Sequence, residues 1–173
     1  MFQAGDVIVC GTHGVCRVEC VGPLDGGGIS RSGVEKGRIY YTLVPVYEKE
    51  SVVFTPVDNQ KIVIRPVLSR EKALDLIDGM PTAEMLTITD EKRRETEYRE
   101  ALYACQAEAL VKVLKTIYAR RRTRLARGKK ATDADSRYMK LAEDCLYGEL
   151  AVSLGLERDQ VRGFIRDRIG TAE

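Results

Sequence analysis

The 173-residue sequence has no long apolar run. No stretch approaches the roughly 18 consecutive apolar residues that a membrane-spanning helix needs, so the sequence does not indicate a membrane protein. The residues up to Asp6 also lack the basic and apolar regions of a secretory signal. We therefore expect a cytoplasmic protein.

Cysteine is scarce, odd in number and irregularly spaced, with five residues in all, which is not typical of a secreted disulfide scaffold. Three of the five lie in the stretch CGTHGVCRVEC with the only histidine, and the four side chains are Cys10, His13, Cys16 and Cys20. Such residues can bind zinc, but structural zinc sites usually draw on two ligand pairs separated by a longer segment. Alternation favours a strand with Cys16, Val18 and Cys20 on one buried face. A metal- or thiol-based enzyme or sensor on this stretch is kept as an alternative, and we expect no enzyme activity, metal or cofactor.

The periodicity of the chain changes near residues 67–69. Before that point, short β-branched runs are separated by glycine, proline and Asp-Asn turns, a pattern that predicts five strands in a small antiparallel barrel or curled sheet. After it, apolar residues recur with helical spacing. The sequence thus predicts an α+β protein with a β module over residues 1–66 and a helical bundle over residues 69–170.

Local signals place the helix ends in the second half. Ser69 is a candidate N-cap, and Thr132 with Asp135 three residues later resembles a capping box. The segment from residue 108 to 126 carries an apolar stripe at i, i+3, i+4, i+7 and i+8. Tyr103 and Tyr118 are spaced to lie on this stripe, and we expect both in the core.

Positive charge is concentrated in one segment, because residues 109–132 hold nine basic side chains and no acid. Cations near a helix C-terminus are favoured by the helix dipole, and a charged face is often simply solvated. A solvated face would be expected to include acids at i,i+4 spacing, and none occur here. The segment therefore favours contact with the phosphates of a nucleic acid.

A second nucleic-acid signal is the segment GELAVSLGLERDQVRGFI, which imitates a helix-turn-helix. Its second helix would begin near Glu157, with residues 157–168 as the reader, and would present Arg158, Asp159, Gln160 and Arg162. The same spacing is common in packed helical hairpins. The alternative function is therefore a sequence-specific helix-turn-helix regulator that binds DNA without a tether to another protein.

Several short motifs together resemble the CarD/CdnL family of bacterial transcription regulators. They are Phe2, Gly5-Asp6-Val7-Ile8-Val9, His13-Gly14-Val15, Tyr40-Tyr41 with Leu43, the strand VVFTPV, Tyr98, Arg137 and Gly148-Glu149-Leu150-Ala151. Their order spans nearly the whole chain.

The resemblance implies a Tudor-like (SH3-like) antiparallel β barrel that binds the RNA polymerase β subunit, followed by an all-α bundle. The bundle would lie on promoter DNA at the upstream edge of the transcription bubble, so that the protein modulates open-complex stability. We expect a monomer that is associated with the nucleoid through polymerase. Some family members insert a tryptophan at the edge of the bubble, and the corresponding position falls near Arg94 in this chain, which has no tryptophan. The resemblance therefore does not imply stabilisation by a wedge.

The resemblance and the basic segment together give two sets of candidate contact residues. The polymerase-binding edge, which would pair with a strand of the β lobe, is Val52, Val53, Phe54 and Thr55, with Arg31 and Arg38 as charge partners. The candidate DNA contacts, which would bind the backbone without reading sequence, are Lys92, Arg93, Arg94, Lys112, Lys115, Arg120, Arg121, Arg122, Arg124, Lys129, Lys130 and Arg137.

Overall fold

A computed structural model of the chain describes residues 1–24, 34–35 and 37–170. An antiparallel sheet comes first and helices follow, which confirms the expected α+β class. Arg31, one of the predicted polymerase contacts, lies outside the described residues. Within the described part of the chain, no helix combines the length and apolar character needed to cross a membrane.

Five strands form the sheet. They are β1 (Val7–Cys10), β2 (Val15–Pro23), β3 (Ile39–Pro45), β4 (Val53–Pro56) and β5 (Ile64–Pro66), in the spatial order β4-β3-β2-β1-β5. The sheet is open, because the outer strands β4 and β5 do not pair with each other, whereas the sequence led us to expect a barrel. Pro56 and Pro66 end these two strands, and a proline cannot donate a hydrogen bond to a further ladder.

The cysteine-rich strand β2 changes face partway along. Cys16 and Val18 are fully buried, as alternation predicts. Pairing with β3 then slips, so that Val18 lies opposite Leu43 while Cys20 lies opposite Thr42. This bulge adds one residue to β2 and reverses the alternation beyond it. The expectation that Cys20 is buried was therefore wrong: its side chain is exposed.

Five α-helices follow the sheet in the described chain: α1 (Arg70–Gly79), α2 (Arg94–Tyr103), α3 (Ala107–Ala126), α4 (Asp133–Leu154) and α5 (Val161–Ile169). Two predicted caps are confirmed, since the Ser69 hydroxyl accepts a hydrogen bond from the Lys72 amide, and the Thr132 hydroxyl accepts one from the Asp135 amide. The Asp135 carboxylate makes other contacts, described below, so only one half of a capping box forms.

The helical core contains the apolar stripe of α3 but not the two tyrosines assigned to it. Tyr103 is 60% exposed and Tyr118 is 39% exposed, so this expectation was wrong. Tyr103 is the last residue of α2 and comes just before the turn at Cys105. Tyr118 lies beside the stripe, and its hydroxyl donates a hydrogen bond to Glu143 on α4. Tyr98 of α2 is the fully buried tyrosine.

The sheet and the helices share an interface. Val9 and Val15 pack in one buried cluster with Cys105, and the Tyr47 hydroxyl donates a hydrogen bond to the Gly148 carbonyl at 3.1 Å. The last strand ends at Pro66 and the first helix begins at Arg70. The division into domains 1–66 and 69–170 stays a prediction, because the two halves are packed against each other.

Candidate functional site

The strand β4 forms one edge of the sheet and pairs only with β3 among the described strands. Val53 packs against the sheet core and Thr55 is 1% exposed, with its hydroxyl accepting a hydrogen bond from the Asn59 amide group at 2.9 Å. Val52 precedes the strand and is 45% exposed. A partner strand at this edge would meet the main chain of β4, with Val52 available as an apolar side-chain contact.

Arg38, the described candidate cation at this edge, already has ionic partners within the chain. Arg38 contacts Asp58 at 2.9 Å and Glu35 at 3.3 Å, and all three side chains are substantially exposed. The hydrogen bond to Asp58 raises the pKa of Arg38. Exposed ion pairs are weak, so a partner carboxylate can replace these contacts at little cost.

The candidate cations of the helical half fall into two groups. The first, which we call the cationic tip, lies at the end of α3 and in the turn before α4, and consists of Arg122, Arg124, Arg127, Lys129 and Lys130. Gly128 adopts a φ of 70° and turns the chain. None of the five forms an ion pair within the described residues. Arg127 was missing from the predicted set, although it belongs to the same basic segment.

The turn of the cationic tip is tied back to the end of α3. The Arg124 carbonyl accepts a hydrogen bond from the Lys129 amide at 2.9 Å, and the Arg124 Nε donates one to the Lys130 carbonyl at 2.8 Å. These bonds keep Lys129 and Lys130 close to the helix end. The result is five uncompensated charges on one small surface, which is a strong attraction for a polyanion.

The second group of predicted DNA contacts has partners within the chain. Arg120 contacts Asp135 at 2.8 Å and Glu91 at 2.5 Å, and its side chain is 20% exposed. Lys115 donates hydrogen bonds to the carbonyls of Met80, Pro81 and Ala83. As DNA contacts these residues remain predictions, but each one is already engaged in holding helices or turns together.

Arg94, which falls near the position of the family's tryptophan, belongs to the same network. It contacts Glu91 at 2.8 Å and donates a hydrogen bond to the Tyr98 hydroxyl at 3.3 Å. Burial lowers the pKa of Arg94, but these two hydrogen bonds outweigh it and raise the pKa overall. The hydrogen bond from Arg94 also holds the pKa of Glu91 below its ordinary value. At this position the chain has a paired cation.

Asp135 is the centre of this network and is fully buried. Burial raises the pKa of Tyr98, which keeps its hydroxyl protonated, and that hydroxyl donates to Asp135 at 3.1 Å while Arg120 contacts the other carboxylate oxygen. A buried carboxylate needs such partners, because an isolated charge in the interior is very costly. The network joins the start of α2, the second half of α3 and the start of α4, and so provides a fixed base for the cationic tip.

The remaining predicted DNA contacts, apart from Lys92, have partners of their own. Lys112 reaches Glu84 at 3.8 Å, Arg93 reaches Glu97 at 3.7 Å, and Arg137 pairs with Glu95 and lies over the Tyr138 ring. Arg121 lies against the Met139 sulfur at 3.0 Å. Lys92 is exposed. Except for Arg121, the side chains with partners pair with exposed or half-buried carboxylates, which phosphates can displace.

Two of the three thiols in the cysteine-rich stretch are buried. Burial raises the pKa of Cys10 to about 11 and that of Cys16 to about 12. A thiol that stays protonated is a poor nucleophile and a poor ligand. Among the residues described, no three His, Cys, Asp or Glu side chains are placed to hold a metal ion. His13 lies in a short 3₁₀ turn between β1 and β2.

The predicted helix-turn-helix reader packs against the rest of the chain. Arg158 lies over the Tyr47 ring at 4.7 Å, and Arg162 contacts Glu143 at 2.8 Å. Glu157 and Gln160 form a capping box, in which the side chain of each accepts a hydrogen bond from the main-chain amide of the other. The basic side chains proposed to read bases therefore have partners within the chain, as in a packed helical hairpin.

The described structure thus has two candidate binding surfaces, an open sheet edge in one half and a cationic tip in the other. Residues 2–68 match the CarD-like/TRCF RID domain. The sheet module is thus similar to the CarD-like domain family, and the match covers less than half of the chain. The resemblance expected over nearly the whole sequence is confirmed over this part. No curated protein matches the chain.

Proposed function

We propose that this protein is a non-enzymatic transcription regulator that binds RNA polymerase through the sheet and promoter DNA through the helices. The observation that carries the proposal is the match of residues 2–68 to the CarD-like/TRCF RID domain, which suggests a regulator that interacts with RNA polymerase. The match covers the whole sheet, including the edge strand β4. The protein would act as a cytoplasmic monomer, associated with the nucleoid through polymerase.

The polymerase contact is assigned to the β4 edge and the β subunit. An edge strand can accept a strand from a partner, in which case main-chain hydrogen bonds supply affinity and alternate side chains supply specificity. Because Thr55 is buried, its contribution would come from its main chain. Val52 and Phe54 would supply side-chain contacts, and Arg38 would exchange its own carboxylates for one on the partner.

The DNA contact is assigned to the cationic tip, near the upstream edge of the transcription bubble. Lys and Arg on phosphates position a protein on DNA without reading sequence. Tethering to polymerase then raises the local concentration of the tip at every promoter, so that weak intrinsic affinity suffices. Since there is no tryptophan in the chain, modulation of the open complex would depend on holding the backbone.

The test uses the full-length chain and two matched substitutions at opposite edges of the sheet. Val52, beside β4, is 45% exposed, and Val63, beside β5, is 39% exposed. Val52→Glu should weaken binding to the polymerase β-lobe fragment at least about 10-fold, because a charge would be buried against the incoming strand. Val63→Glu should bind like the wild type. Equal binding by both variants and the wild type would remove the β4 edge from the proposal, and no binding by the folded wild type would remove polymerase.

A further inference from the structure

A buried ion pair joins the two halves of the molecule. Glu149, in the C-terminal part of α4, is 1% exposed, and its two oxygens contact the Arg65 guanidinium of β5 at 2.5 and 2.7 Å. The Leu68 amide donates a further hydrogen bond to Glu149 Oε1 at 3.0 Å. A bidentate pair of this kind fixes the relative orientation of both groups as well as their distance.

Arg65 also reaches the corner between α2 and α3. Its Nε donates a hydrogen bond to the Cys105 carbonyl at 2.6 Å, and the Cys105 thiol donates one to the Gly11 carbonyl at 3.6 Å. Cys105 has a φ of 55°, the one positive value among the described non-glycine residues. Such a conformation persists only where the surroundings hold it in place. The Arg65 guanidinium therefore connects strand β5, the corner between α2 and α3, and the C-terminal part of α4.

The residue before Glu149 makes a second contact with the sheet. A Cβ built on Gly148 would lie 2.9 Å from the Tyr47 ring, so the helix backbone and the ring are in close contact there. Tyr47 follows β3, whereas Arg65 lies on β5, so consecutive residues of α4 are held from two different strands. Two separate attachments restrict rotation of the helices relative to the sheet, which a single contact would permit.

The buried ion pair contributes to the relative orientation of the sheet and the helices more than to the stability of their interface. A buried ion pair loses hydration, and apolar side chains of similar size often stabilise a protein equally well. What the pair provides is geometry. The three residues between Pro66 and Arg70 are the direct covalent connection between the sheet and the first helix, and they do not by themselves fix an angle.

We propose that Arg65 and Glu149 are positioning residues that hold the cationic tip at a fixed orientation relative to the β4 edge. A chain tethered by its sheet then presents the tip to DNA in one geometry. This inference rests on the proposed function, because it concerns how the two binding surfaces act together. Linked sites gain affinity only when their geometry permits both to be occupied at once.

The first test needs neither polymerase nor DNA. The full-length variant Arg65→Met/Glu149→Met removes both charges together and so leaves no orphan charge. Amide hydrogen exchange at Leu68 should accelerate at least about 10-fold if the Glu149 oxygen protects it, and nitrogen-15 relaxation should report separate tumbling of the sheet and the helices. If exchange at Leu68 and common tumbling are unchanged in a cooperatively folded variant, the inference is overturned.

The control is the bidentate pair of Arg168 with Asp78, at 2.6 and 2.8 Å, which joins α5 to α1 within the helical half. The variant Arg168→Met/Asp78→Leu should leave Leu68 exchange and tumbling unchanged. If the Arg65 and Glu149 double variant does not fold, Glu149→Gln, which keeps the side-chain size, takes its place. The tumbling criterion then applies to it, because the glutamine carbonyl oxygen can still accept the Leu68 hydrogen bond.

The second test compares affinity for polymerase, for DNA and for the promoter complex. Binding of the double variant to polymerase alone and to duplex DNA alone should stay within about twofold of the wild type, whereas its affinity for polymerase on promoter DNA should fall roughly 10-fold or more. A merely structural defect would lower all three together. Retained affinity for the promoter complex, despite separate tumbling, would overturn the inference. If the wild type did not bind polymerase, the proposed function would fall, while the exchange and relaxation results would still decide whether this pair fixes the two halves.

Discussion

Two arginines that lie two positions apart on α3 should respond to the same substitution in opposite ways. Arg120 is 20% exposed and contacts the fully buried Asp135, whereas Arg122 is exposed and belongs to the cationic tip. In the sequence, Arg120 and Arg122 belong to the same basic run. Replacing each in turn by serine separates a side chain that holds the fold from one that is available to DNA.

Arg120→Ser should destabilise the protein. The substitution leaves the Asp135 carboxylate with the Tyr98 hydroxyl as its remaining side-chain partner. Breaking a buried pair costs about 3–5 kcal/mol, and we expect about 3 because water can reach the exposed part of this site. For a chain of this size that corresponds to a fall in Tm of roughly 6–12 °C. Urea unfolding followed by circular dichroism measures the loss directly.

Arg122→Ser should leave the free energy of unfolding within about 0.5 kcal/mol of the wild type, because the side chain has no ionic partner in the described structure. It should reduce the slope of log affinity against log salt by about 0.9 for duplex DNA. The ratio of the wild-type affinity for duplex DNA to that of the variant should then fall roughly 3.5-fold between 50 and 200 mM salt. Fluorescence anisotropy with a labelled duplex provides both numbers.

The reverse pattern would refute this reasoning. A stable Arg120→Ser variant with a reduced salt slope would make Arg120 a DNA contact and its ion pairs incidental. An unchanged slope in Arg122→Ser would move the DNA surface away from the cationic tip, towards the exposed cations before α2. Arg124→Ser offers an internal comparison, because its Nε holds the turn and its loss should affect both quantities modestly.

Two further outcomes follow from the packing. Gly148→Ala should lower the free energy of unfolding by about 1–2 kcal/mol in urea, because the added Cβ meets the Tyr47 ring at 2.9 Å. Adding Tyr47→Leu to this variant should recover most of the loss. Full stability of the single variant would contradict the close contact. At pH 8, an alkylating reagent should modify exposed Cys20 well before Cys10 and Cys16, since burial raises the pKa of those two thiols to about 11 and about 12 and keeps them protonated. Because the unfolded chain ionises near 9.0, these thiols should also lower stability as the pH rises from there towards about 11. Early modification of Cys10 in the folded protein, detected by mass spectrometry, would contradict this assignment.

Local features of the structure were predictable where the atoms involved are close in sequence. The Ser69 and Thr132 caps each use an amide three residues ahead, so the residue pattern alone locates them. The change from a period of two to a helical period likewise places the end of the sheet near Pro66. The bulge that exposes Cys20 carries no such signal, because it depends on how β2 and β3 pair.

The candidate site was predictable only in part, for the same reason. The sequence locates the basic run, and it correctly finds no acid within that run. The acids that pair with Arg120 come from elsewhere, Asp135 from α4 and Glu91 from the turn before α2. The absence of acids at i,i+4 spacing therefore did not show that Arg120 lacks an ionic partner.

The sequence by itself determined the order of strands and helices, the caps that begin two of them, and the concentration of positive charge near the end of α3. These properties depend on side-chain periodicity and on contacts within one turn. The tertiary structure alone decided which cations stay uncompensated, that Tyr98 and not Tyr103 is buried, and that Arg65 meets Glu149 across 84 positions of the chain. A buried charge finds its partner through the packing of whole elements, and that packing is invisible to any local window of the sequence.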